Sequence, residues 1–223
     1  MHSASLPDAG EKTAERLRTG CDALGLTLTA DQQAGLLDYL ALLHKWNSAY
    51  NLTAVRDPLE MVSRHLLDSL SILPFLPDGP VLDVGTGAGL PGVPLAIMRP
   101  GQPFHLLDSN GKKTRFLFQV KTALALDNMQ VHQARVESFR SAQGFAAITS
   151  RAFATLQDML NGCQHLLSTE GICLAMKGTY PAEELLALGE GDFASAVHPL
   201  DVPGRAEARH LVILQSRPSA ANT

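Results

Sequence analysis

An α/β fold is what this sequence predicts: a mainly parallel, seven-stranded sheet closed by an antiparallel C-terminal hairpin and preceded by a helical cap. Three observations carry that expectation. From about Pro80 onward, short apolar runs alternate with helical patterns, the arrangement of a parallel sheet with helices on both faces. The last two runs are separated only by Val202 to Glu207, too short for a crossover, so they must pair as an antiparallel hairpin. Before Pro80 the periodicity is helical throughout.

In the N-terminal part, residues 1 to 8 are polar and expected to fray. Ala9 to Leu24 has helical spacing and stops at Gly25. Thr29, with Gln32 three residues later, forms a capping box for a second helix. Its apolar residues Leu36, Leu37, Leu40, Leu43 and Trp46 recur at three and four residues, an amphipathic stripe. The stretch from Trp46 to Pro58 reads as a turn-like link. Asp57 then caps a third helix, with Pro58 first and Glu60 in its first turn, and Met61, His65, Leu66 and Leu70 along one face. Residues 1–78 are thus expected to form the cap, 79–216 the sheet domain and 217–223 a disordered tail.

The predicted strands are 80–84, 104–107, 129–133, 145–149, 171–176, 195–200 and 208–215, and the helices among them are 91–99, 110–126, 155–167 and 181–188. The centre of the pattern is Val81 to Gly92, where four strand-type residues run into glycines at 85, 87 and 89. A buried strand, a glycine turn and a helix opening near Pro91 make the first βα unit of a nucleotide-binding sheet. Glycines there permit positive φ and leave bare backbone for a flat ligand.

Two ligand classes fit such a turn. Gly87-x-Gly89-x-x-Gly92 satisfies a dinucleotide pattern, which would make the chain an NAD-dependent oxidoreductase. A pyrophosphate, however, needs free N–H groups and no anion nearby, whereas Pro91 removes a donor and Asp83 brings a carboxylate. S-adenosylmethionine carries a sulfonium and an ammonium and no phosphate, so it suits that acid. Asp108, ending the second strand, is placed to accept from ribose hydroxyls in either class.

Ligands of an open parallel sheet bind outside the carboxyl ends of the strands. Read in order, those ends present Asp83 to Leu90, then Asp108 to Asn110, then Val136 and Glu137, and finally Arg151. Val136 can cover an adenine face and Glu137 read its edge. Arg151 lies where a methyl acceptor would lie and is the candidate catalytic residue, paired with Asp83, Glu137 or an RNA phosphate. Lys112, Lys113 and Arg115 concentrate positive charge at the same edge of a chain whose net charge is −4. Asn51, Arg56, Arg64 and His65 are placed to look across the cleft at the substrate, and Trp46 and Tyr50 to stack on a base or to fill the core.

Composition narrows the classes. At 223 residues, 45% hydrophobic and 18% charged, the chain has the makeup of a soluble domain with a sizeable core. It has no 18-residue apolar run and no leader-like N-terminus, so the expectation is a cytoplasmic protein without a membrane partner. Cys21, Cys163 and Cys173 lack CxxC spacing and read as reduced core residues. The eight histidines are scattered, and no metal site is expected.

With these stretches assembled, the chain resembles the glucose-inhibited division protein B family, the small-subunit ribosomal RNA guanine-N7 methyltransferases. The matching blocks are KWNSAYNLT (Lys45 to Thr53), RHLLDS (Arg64 to Ser69), VGTGAGLPGVPLA (Val84 to Ala96), LLDSNGKKTRFL (Leu106 to Leu117), RVESF (Arg135 to Phe139), SRAFA (Ser150 to Ala154) and RHLV (Arg209 to Val212). The resemblance implies a class I S-adenosylmethionine-dependent methyltransferase acting on small-subunit (16S) ribosomal RNA or the ribosomal subunit. It implies a donor site of Gly85, Leu90, Val136, Glu137 and Arg151. A methyltransferase-like RNA-binding module without activity is the other reading the residues allow.

Overall fold

The computed structural model describes residues 6–153, 155–189 and 193–217. Its first layer is helical: α1 (Leu6–Ala23), α2 (Ala30–Tyr50) and a helical run from Pro58 to Leu70. Thr29 caps α2 with both halves of the capping box, its hydroxyl accepting from Gln32 N while Gln32 Oε1 accepts from Thr29 N. The helix continues through Tyr50, so the predicted link begins five residues later than its polar sequence suggests. The reason is packing: Asn47 is buried and Trp46 lies on Tyr50 and Phe116, which holds the last turn helical. Asn51 ends the helix in the left-handed region at φ 50.

The third helical run starts as expected, with Asp57 accepting from Leu59 N and Pro58 in the first turn. It is not a regular helix. After α3 (Pro58–Met61), residues Val62–Leu67 form a π-helix, and α4 (Asp68–Leu70) completes the run. Every residue from Met61 to Leu70 except Arg64 is buried. A segment enclosed on all faces has no solvent side to keep, so the single predicted apolar face does not describe it. Its polar groups turn inward on the chain, as where Ser69 Oγ donates to His65 O.

The sheet contains β1 (Val81–Val84), β2 (Phe104–Asp108), β3 (Met129–Gln133), β4 (Phe145–Ser150), β5 (Leu167–Lys177), β6 (Phe193–Leu200) and β7 (Arg209–Ser216), in the order β3-β2-β1-β4-β5-β7-β6. The first five pair in parallel, and β7 runs antiparallel between β5 and β6, the predicted closure. β5 starts four residues before its predicted limit, because Leu167 pairs with Phe145 before the register shifts at Ala147 and Ile172. Between strands lie α5 (Gly92–Met98), α6 (Gly111–Ala123), α7 (Leu156–Cys163) and α8 (Ala182–Leu188).

Two apolar cores flank the sheet. On one face the helical layer, α5 and α6 share a core that runs from Leu17, Leu36 and Leu66 to Val81, Leu106 and Phe116. On the other, α7 covers Leu82, Ile148 and Cys173. Cys21, Cys163 and Cys173 are buried free thiols, and burial raises the pKa of each. No helix among the described residues is long and apolar enough to cross a membrane. Of the first eight residues expected to fray, Leu6 to Asp8 belong to α1, while positions 1–5, like 218–223 of the tail, lie outside the described residues.

Candidate active site

The parallel order brings the carboxyl ends of β1, β2 and β4 together around the β1–α5 loop. A cleft of about 200 Å³ opens there, lined by Gly85, Asp108, Val136 and Glu137 from the sequence candidates, together with Ser109, Arg135 and Phe153 among others. A larger hollow of about 460 Å³ lies between α1 and the β6–β7 turn, away from the strand ends.

The loop is held from below by Asp83. Its Oδ2 accepts from Thr86 Oγ1 at 2.6 Å and from Gly92 N at 2.8 Å, and the residue is 1% exposed. Its place before the glycines predicts a charge presented to the cleft, but Asp83 does not present it there. It is spent inside, fixing the turn that other residues line. Burial raises its pKa to about 6 against these hydrogen bonds.

Asp108 serves the opposite wall. Oδ2 accepts from Gly87 N at 2.9 Å and Oδ1 from Asn110 N at 2.8 Å, so the carboxylate is rigid where it borders the cleft. Lys113 Nζ hangs 3.7 Å from Asp108 Oδ2.

The glycines answer to the protein as much as to a ligand. Gly85 has φ +65, and a Cβ there would come 2.5 Å from Ala152 Cβ. Gly89 has φ +96, and its Cβ would meet Val93 at 2.5 Å and Leu117 at 2.8 Å. At Gly87 the space is open, with Lys113 Nζ no nearer than 3.9 Å. Leu90 packs in the core at 8% exposed and does not line the cleft.

Arg151 finds its partner outside the expected anions. Its Nη1 lies 3.3 Å from Asp68 Oδ2, in place of Asp83 or Glu137. Asp68 is 0% exposed and also takes Arg209 in a two-pronged pair at 2.6 and 3.1 Å, and Arg205 at 3.2 Å. One carboxylate from the helical layer so gathers three guanidinium groups from the loop after β4, the β6–β7 turn and β7. The blocks RHLLDS and RHLV held its two ends, and only folding joins them.

The expected substrate residues divide. Lys112 and Arg115 are exposed on α6, and Asn51 and Arg56 are exposed beyond α2. Arg64 pairs with Glu207. His65 departs from expectation: it is 4% exposed, its Nε2 lies 2.9 Å from Thr53 Oγ1, and burial lowers its pKa to about 4. A neutral, enclosed imidazole does not look across the cleft.

A family model described as rRNA small subunit methyltransferase G matches residues 32–212. The chain belongs to that family. Its relatives named ribosomal RNA small subunit methyltransferase G include one from Pseudomonas aeruginosa, 58% identical over 91% of this chain and 95% of the relative. Another, from Pseudomonas fluorescens, is 56% identical over 91% and 94%. A solved structure described as a DhpI–SAH complex matches the fold at TM-score 0.54 and 13% identity, covering 86% of this chain and all of that one.

The chain is thus an S-adenosylmethionine-dependent methyltransferase, and the cleft suits that donor. Val136 supplies an apolar wall, while Asp108 and Glu137 supply acceptors for hydroxyl and amine groups. No group of three His, Cys, Asp or Glu positioned for a metal occurs among the described residues.

Proposed function

We propose that this methyltransferase acts at N7 of a guanine in small-subunit ribosomal RNA, with the ribosomal subunit as its partner. The observation that supports this most is the family match across residues 32–212, around a cleft at the strand carboxyl ends. A ribosomal substrate implies the cytoplasm. In this reading Gly85, Val136, Glu137 and Asp108 hold the donor. Asp83 keeps the loop in shape, and Arg151, fixed by Asp68, orients an anionic group of donor or acceptor.

S-adenosylmethionine supplies an electrophilic methyl group on sulfonium. Guanine N7 already carries a lone pair on an accessible edge, so no proton needs to leave. What the chain must do is align and exclude water, and effective molarities of about 10⁵ M or more are available from alignment alone. No general base is required, and His65, neutral down to about pH 4, does not act as one near neutrality.

Undermethylated small subunits incubated with radiolabelled donor should acquire N7-methylguanine. Single-turnover rates should stay nearly flat between about pH 6.5 and 8. Label at another atom would overturn the N7 assignment. A tenfold rise per pH unit that disappears in His65→Gln would overturn the base-free step.

A further inference from the structure

The carboxyl end of β5 carries an aromatic side chain that the donor cleft does not use. Tyr180 lies three residues beyond β5 and is 57% exposed. Its ring meets His210 edge-on, with centroids 5.7 Å apart at 81°. His210 is fixed in turn, Nδ1 lying 3.1 Å from Gly178 O, and a Cβ on Gly178 would come 4.0 Å from Arg209 Nη1. The ring is thus braced at the start of β7, where Arg209 of the Asp68 cluster precedes His210 and lies against Gly178.

Position and charge point the same way. The donor cleft takes the ends of β1, β2 and β3 and the loop after β4. Acceptor access is left to the side where β5 and β7 adjoin β4. Around Asp68 and Glu207, four guanidinium groups (Arg64, Arg151, Arg205 and Arg209) face two carboxylates. Adding Asp83, whose field also reaches Arg151, still leaves positive charge in surplus. A flat ring at the same strand end as surplus guanidinium suits a nucleotide, with a base for the ring and a phosphate for the charge.

We propose that Tyr180 is the platform on which a base of the RNA acceptor stacks, with the Asp68 arginine cluster drawing its phosphate; this rests on the ribosomal RNA reading above. Tyr180 is a positioning residue, and stacking, not its hydroxyl, does the holding.

Tyr180→Ala and Tyr180→Phe separate these roles. With undermethylated small subunits, kcat/KM should fall about tenfold or more in the Ala variant, the scale of one lost stacked base, and stay within about twofold in the Phe variant. Calorimetric affinity for S-adenosylhomocysteine should be unchanged in both. Wild-type kcat/KM in the Ala variant would overturn the proposal, as would an equal loss in both variants or a parallel loss of S-adenosylhomocysteine affinity. If the wild type methylates no ribosomal RNA, the proposed function fails by itself. Binding of a small-subunit RNA fragment then decides on Tyr180: a Kd weakened in Ala and kept in Phe supports it, and equal Kd values overturn it.

Discussion

Asp83 and His65 are both buried, and burial favours the neutral form of each, yet their effects on stability run in opposite directions with pH. The Asp83 pKa rises from 3.8 to about 6, so its contribution is present below about pH 4 and lost as pH climbs to about 6. The His65 pKa falls from 6.5 to about 4, so its contribution is present above about pH 6.5 and lost as pH drops toward 4. Each is worth roughly 3 kcal/mol across its window. Between about pH 4 and 6 the two slopes therefore largely cancel. Asp83→Asn should leave a stability that rises more steeply with pH, and His65→Gln one that falls more. His105, also lowered to about 4, adds a rising component to all three proteins. Urea midpoints at several pH values test this, and an Asp83→Asn profile parallel to wild type would show that the carboxyl does not titrate there.

At the scale of elements, Asp68 is the buried charge that ties the helical layer to the strand-end edge. Asp68 opens α4 just after the π segment and binds arginines from the loop after β4, the β6–β7 turn and β7, with Arg64–Glu207 beside it. The pair strength of any one of these is modest, but removing the shared anion leaves three guanidinium groups with too little compensation. Asp68→Asn, nearly identical in shape, should destabilise the protein by about 3 kcal/mol or more in urea unfolding. An unchanged midpoint would mean that Glu207 and water already neutralise the cluster.

The whole molecule carries net charge −4 and still must meet a phosphate backbone, so binding depends on where its cations sit. Three basic residues of α6 were expected to act together. Lys113, however, lies over Asp108 at the cleft, leaving Lys112 and Arg115 as the exposed pair. Replacing those two with Ala should flatten the salt dependence of RNA binding by about 1.4 units of slope, roughly 0.7 for each lost phosphate contact. S-adenosylhomocysteine affinity should hold. A slope equal to wild type would make them an ordinary solvated helix face.

The parallel run of strands, the terminal hairpin, the capping box at Thr29 and the glycine turn were legible in the sequence, because each depends on local periodicity or on connection length, whereas the strand order was not. So were Gly85, Asp108, Val136 and Glu137 as cleft residues, since strand ends of a parallel sheet share one edge. Tertiary structure alone decided which way the carboxylates and cations point. Asp83 turned inward because the loop's N–H and hydroxyl groups surround it, and His65 was enclosed because its helical run has no solvent face. Asp68, Arg205 and Arg209 lie up to 141 residues apart in sequence, and no spacing rule connects them. A charge's partner is set by distance in space, and the sequence records only distance along the chain.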